Sequence, residues 1–171
     1  MLVTYKILVS IPAAILSFII YLLYTGSIGL FDIITGAVVA IIIGLLTGSI
    51  VVKNPRKTLS IRRYILMIIY VIWYFLVAET RAHLDVIKRA LHPKMPLNPA
   101  IIKVPYNVNT DYAMVLIANS ITNTPGTVVV DLDYDNKHFF VHWIDAKTSD
   151  PLKAREIISS KFEEFARKIF D

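Results

Sequence analysis

The chain has 171 residues, 56% of them hydrophobic, with 18 Lys and Arg against 13 Asp and Glu and no cysteine. An apolar share above the roughly 45–50% of soluble domains points to a membrane, and a net charge of +5 favours anionic surfaces, either lipid head groups or nucleic acid. The lack of cysteine excludes disulfides, thiolate metal sites and cysteine nucleophiles.

Ile7 to Tyr24 is eighteen residues without a charge, and Ile33 to Val52 is twenty. Each is long enough to cross a hydrocarbon core, for which about 20 residues suffice. The first is too long for a signal-peptide core and lacks a small-x-small cleavage site. "TGSIGLFD" (Thr25–Asp32) reads as a tight turn between two membrane helices. The second helix carries Gly36, Ala40, Gly44 and Gly48, spaced by four. Small residues at that spacing form a groove that a second helix can approach closely, so this face is expected to meet a partner helix and to suit a subunit of a membrane complex. Neither run has an ionisable residue in its middle, and Asp32 and Glu79 are expected at membrane-segment ends, so the chain is not expected to conduct ions by itself.

"KNPRKTLSIRR" follows, with Lys53, Arg56, Lys57, Arg62 and Arg63. The positive-inside rule places this loop in the cytoplasm, with Lys6 and the N-terminus, and the Thr25–Asp32 turn outside. It has no aromatic to stack a base, so lipid phosphate explains it better than nucleic acid. The third apolar run, Tyr64–Ala78, is fifteen residues and grades into "ETRAHLDVIKRALHP", with Leu84, Ile87 and Leu91 on one face and Arg81, Asp85, Lys88 and Arg89 on the other. Both its ends are basic. A full crossing puts the C-terminal half outside; a short, tilted or interfacial segment leaves it inside.

"PKMPLNPA" has three prolines in eight residues and reads as a linker. The expected division is residues 1–92 for the membrane helices with their amphipathic extension, 93–100 for the linker and 101–171 for a small α+β domain. That domain reads β-α-β-β-α, a two-layer sandwich. Ile101–Pro105 is a short strand, and Asn109 or Thr110 caps a helix to about Thr122. Thr127–Asp133 is a strand with Val128, Val130 and Leu132 on one face. His138–Ile144 returns with Phe139, Val141 and Trp143 together. Asp150 caps a last helix, Pro151 opens it, and Ile158, Phe162, Phe165 and Ile169 form its buried stripe. Glu163/Arg167 and Glu164/Lys168 pair on its outer face.

Few residues invite chemistry. "DLDYDN" (Asp131–Asn136) begins like a calcium loop, but Asn136 stands where Gly is required and His142 where Glu is. It reads as a strand end entering a turn. His138 and His142 share a strand face without a third ligand, and His83 and His92 read as interfacial. Ser120 lacks a G-x-S-x-G elbow, and no Gly-Lys-Ser/Thr follows the glycine of "ANSITNTPGT" (Ala118–Thr127). Pro125-Gly126 fits the centre of a type II turn, and Ser120, Thr122, Asn123 and Thr124 are placed to cap the helix end. No catalytic, cofactor or metal site is expected.

"ANSITNTPGT", followed by "VVVDLD" (Val128–Asp133) and "VHWID" (Val141–Asp145), with "KVPYN" (Lys103–Asn107), resembles the E subunit of multisubunit cation/proton antiporters, the MnhE or MrpE family. Asn123 stands where that family commonly has Leu. The resemblance runs nearly the length of the chain, and Asn119, Ser120, Thr122, Thr124, Pro125, Gly126 and Thr127 are its most specific mark. It implies a non-enzymatic, multi-pass accessory subunit of a sodium/proton antiporter, with other subunits and the bilayer as partners, no nucleic acid, and a cytoplasmic C-terminal domain. It also implies relatives in archaeal membrane-bound hydrogenases and sulfane reductases. A reading of another class, a membrane-tethered sensor or ligand-binding module, requires a ligand site within residues 101–171.

Overall fold

The structure, a computed structural model, describes Leu2–Asp171, with side chains from Tyr5 onward except that of Arg56 in the basic loop. Cα packing divides the chain into two compact units, Met1–Ile61 and Arg62–Asp171.

The first unit is a helical hairpin. Helices α1 (Leu2–Thr25) and α2 (Leu30–Val51) pack antiparallel. Gly26, at φ +63°, makes the turn in a conformation that favours glycine. Asp32 accepts from the Ser27 hydroxyl at 2.5 Å and sits in the first turn of α2, where a negative charge complements the helix dipole. Gly36, Ala40, Gly44 and Gly48 are the buried residues of α2. A Cβ on Gly44 would stand 2.7 Å from the Ser10 carbonyl oxygen and 2.8 Å from the Ala14 Cβ, and one on Gly48 would stand 2.8 Å from the Val9 carbonyl oxygen. The groove is therefore filled by α1 of the same chain rather than by another protein. The basic loop holds a single-turn helix, α3 (Pro55–Thr58), capped by Asn54, whose side chain accepts from the Lys57 N–H at 3.2 Å.

The second unit opens with one long helix, Ile61–Ala90, built from α4 (Ile61–Trp73), a π-helical turn (Tyr74–Glu79) and α5 (Thr80–Ala90). Thr80 donates to the Phe75 carbonyl at 3.1 Å and occupies an acceptor in the widened turn. This helix, α1 and α2 are all long and apolar enough to cross a membrane. The helix continues past Glu79, which directly follows the Tyr64–Ala78 apolar run.

Strands β1 (Ala100–Pro105), β2 (Thr127–Asp133) and β3 (His138–Trp143) form an antiparallel sheet in the order β1-β3-β2. Ile102, Val104, Phe139 and Val141 are buried on one face. Helices α6 (Asp111–Asn123), α7 (Pro151–Ile158) and α8 (Ser160–Phe170) complete the core. Thr110 caps α6, and Asp150 caps α7 by accepting from the Leu152 and Lys153 N–H groups.

Three details depart from the sequence pattern. Val128 and Val130 are exposed and Val129 packs on the core; a bulge between Val129 and Asp131 resets the register, so Leu132 pairs with Phe139 and falls on the opposite face from Val128. The last helix breaks at the fully buried Ser159, so Ile158 and Phe162 lie on different helices. Glu163 is buried, not on an outer face, because the Arg155 guanidinium reaches across the break to donate to both its oxygens at 3.0 and 2.7 Å. Glu164 is the exposed partner, held down to about 2 by Lys161 and Lys168.

Gly44→Leu is expected to force α1 and α2 apart and lower the stability of the hairpin by about 1–3 kcal/mol, the usual range for overpacking. Unfolding in mild detergent titrated with a denaturing one reads this, with Leu45→Ile, at an exposed position, as the unchanged control.

Candidate functional site

The hydroxyl-rich end of α6 is assembled from its own backbone. Ser120 donates to the Leu116 carbonyl at 2.6 Å, Thr124 to the Ser120 carbonyl at 2.6 Å and Thr127 to the Ile121 carbonyl at 2.7 Å. The Val129 N–H donates to the Thr122 hydroxyl at 3.2 Å, tying the helix end to β2. Pro125 and Gly126 are the central pair of a turn closed by the Thr127 N–H on the Thr124 carbonyl, and Gly126 has φ +96°. A Cβ there would also press on Ile144 at 3.1 Å.

This helix end meets the long helix Ile61–Ala90. Tyr70 and Ser120 share a short hydroxyl–hydroxyl hydrogen bond, and Asn123 donates to the Tyr74 hydroxyl at 3.0 Å. Tyr70, Tyr74, Asn119, Ser120, Thr122 and Asn123 line an open cleft of ≈ 450 Å³ between the two helices. Beside it lies an aromatic layer: Trp73 is 5.3 Å from Phe165 and 6.0 Å from Phe162, and Tyr70 is 5.2 Å from Phe165. These separations suit ring–ring attraction. Polar clasps secure the two ends. Arg63 donates to the Phe170 carbonyl at 3.2 Å, and Arg89 binds Asp145 at 2.5 Å while holding Asp85 in a two-pronged pair. Lys147 also binds Asp145, and with Arg89 it holds that carboxyl below the usual aspartate range.

The chemistry available here is adhesive. Among the described residues Ser120 bonds to a carbonyl and a phenol, neither of them the His or carboxylate base that activates a serine nucleophile. Among the described residues no group of three His, Cys, Asp or Glu is placed to hold a metal. In "DLDYDN" the Asp133 carboxylate accepts from the Asn136 backbone and side chain at 3.0 and 2.9 Å, an Asx turn that lowers its proton affinity. Sequence reasoning placed the residues of Ala118–Thr127 at a helix stop. It missed Tyr70, Trp73 and Tyr74, which lay inside an apolar run; polar-tipped aromatics at 3–4 spacing were the signal available.

A model of the Na+/H+ ion antiporter subunit family, MNHE, matches residues 14–169. This chain belongs to the MNHE family. The E subunit of the Na(+)/H(+) antiporter of Alkalihalophilus pseudofirmus is 35% identical over 65% of this chain and 72% of its own length. The E1 subunit of the Na(+)/H(+) antiporter of Staphylococcus haemolyticus is 31% identical over 91% of this chain and 95% of its own. A chain of the membrane-bound sulfane sulfur reductase, an archaeal respiratory membrane complex, superposes with a TM-score of 0.82 at 35% identity, covering 95% of this chain and 99% of that one. The MNHE chain is a membrane protein, with three apolar helices ahead of the sheet.

Two outcomes follow from the MNHE seam. Trp73→Ala should cost about 3–5 kcal/mol by emptying the space against Phe162 and Phe165, whereas Tyr70→Phe should cost about 1 kcal/mol, because Ser120 keeps its bond to Leu116. Thermal unfolding of the detergent-solubilised chain ranks them. Asp145 has a depressed folded pKa, so its contribution is present above the usual aspartate value near ~4 and disappears as pH falls through the lower folded value. A pH series of melting temperatures should show this acid loss in the parent and a shallower one in Asp145→Asn.

Proposed function

We propose that the chain is a non-catalytic accessory subunit of a multisubunit sodium/proton antiporter, supporting assembly and transport by its neighbours. The observation that carries this is family membership along nearly the whole chain, joined to a whole-chain likeness to a subunit of a respiratory membrane complex. The physics of the chain agrees with it. Between Ile7 and Tyr24, and between Ile33 and Val52, no side chain can bind and relay an ion. The polar cluster at Ala118–Thr127 meets backbone carbonyls and tyrosine hydroxyls rather than a substrate. Its residues, Asn119 included, serve as structural marks of the family, and Gly36, Ala40, Gly44 and Gly48 as a packing seam. The C-terminal domain lies in the cytoplasm, on the side of the basic loop.

A second reading has its own support. The TM-score of 0.82 to a sulfane sulfur reductase chain favours the same subunit role in the antiporter module of a respiratory complex. Affinity purification of the full chain from its native membranes should bring down large multi-span subunits, and its deletion should abolish sodium-dependent proton movement in everted vesicles. Redox subunits among the companions select the second reading. A chain that purifies alone, with exchange unchanged by its deletion, rules out both.

A further inference from the structure

The long helix Ile61–Ala90 is apolar enough to span a bilayer, yet it has a domain fastened along it. The fastenings run from Arg63 on Phe170 at one end to Arg89 on Asp145 at the other. At 1.5 Å per residue that is roughly 39 Å of helix, longer than the ~30 Å hydrocarbon core. A crossing would carry the sheet and helices into the lipid with it. Lys103, Asp131, Asp135 and Lys137 are exposed on that domain, and such charges are costly inside a bilayer. The sheet edges and loops would be worse placed, since no water there can satisfy them.

The opposite face of the helix has a different character. Ile65, Ile68, Ile72 and Leu76 are all about half exposed or more, at 3–4 spacing, and Leu84 and Ile87 continue them. Leu76 to Leu84 is eight residues, which on an unbroken α-helix would swing the row aside by about 80°. The π turn at Tyr74–Glu79 absorbs one residue, leaving about two α-helical turns, and the row stays in line. The same insertion keeps Arg89 beneath Asp145 on the domain side. Exposed Arg62, Arg81 and Lys88 form a parallel row, about 60° round from the apolar one.

The geometry points to an in-plane helix: Ile61–Ala90 lies along the membrane surface, its apolar row in the headgroup–acyl boundary of an anionic bilayer, its α/β domain in water above it. An apolar stripe edged by cations is the pattern such helices use, the cations meeting lipid phosphates. Chain length agrees. Only nine residues separate Val51, the last of α2, from Ile61, a reach of at most about 30 Å. The helix therefore begins near the point where α2 leaves the bilayer. The chain then crosses twice, and the N-terminus shares a side with the C-terminal domain. This holds whichever complex the chain serves.

The test uses the full chain, purified with its complex and reconstituted in sealed vesicles of phosphatidylethanolamine and phosphatidylglycerol. The chain has no native cysteine, so each label on it has one site, and separating the subunits on a gel (or mutating any cysteines of the companions) isolates its signal. Ser60→Cys and Leu91→Cys, at the two ends of the helix, should react with a membrane-impermeant maleimide from the same side. Reaction from opposite sides overturns the proposal. Spin labels on Ile68→Cys, Ile72→Cys and Leu84→Cys should lie at one shallow depth, within about 5–10 Å of the headgroup boundary, with high oxygen and low aqueous-reagent accessibility. A depth gradient through the bilayer centre, free water access, or low access to both reagents (the mark of a protein cover) each refutes it. Which side is labelled tests the cytoplasmic placement separately.

Discussion

The second unit depends on one contact: the aromatic face of a long apolar helix laid against a small α/β domain. Trp73 and Tyr70 pack on Phe165 and Phe162 of α8, while Tyr70 and Tyr74 place their hydroxyls on Ser120, Asn123 and Thr124 at the end of α6. A tyrosine suits this seam because its ring buries against apolar neighbours while its hydroxyl finds a partner at the edge. The middle layer, α6 and α8, is thereby covered on both sides, by the sheet and by the long helix. The long helix thus has two different uses for its two faces.

The π turn lets both faces be used at once. Without its extra residue, the salt bridge from Arg89 to Asp145 and the line from Leu76 to Leu84 would fall out of phase with Tyr70 and Tyr74. The irregularity is held by Thr80 on the Phe75 carbonyl, and Glu79 Oε2 is left without a hydrogen-bond partner among the described residues. The hairpin of α1 and α2 is organised by the opposite device, the removal of side chains. At Gly44 and Gly48 the backbone of α1 comes so close that no Cβ fits, and dispersion between backbones replaces interdigitated side chains.

The family mark Ala118–Thr127 takes its meaning from the same seam. Its hydroxyls close a helix end and receive tyrosines from a segment fifty residues earlier in the chain. The segment holds the long helix Ile61–Ala90 against the end of α6.

What the sequence by itself determined is what short-range physics writes into it. Uncharged runs of eighteen and twenty residues specify membrane helices; Pro125-Gly126 specifies a turn; Asn109 or Thr110, and Asp150, mark helix starts; alternation specifies the Phe139–Val141–Trp143 face. All of these are decided within a few residues of where they occur. Only the tertiary structure decided the rest. Leu132 pairs with the core residue Phe139 while Val128 lies on the other face, because a bulge after Val129 slips the register by one, and a one-residue slip reverses every face beyond it. Glu163 is buried because Arg155 lies across a helix break. The glycine groove is occupied by α1, and Tyr70, Trp73 and Tyr74 serve a domain rather than lipid. Each depends on a partner far away in the chain, and an apolar residue reads the same in sequence whether its neighbour will be a ring or an acyl chain.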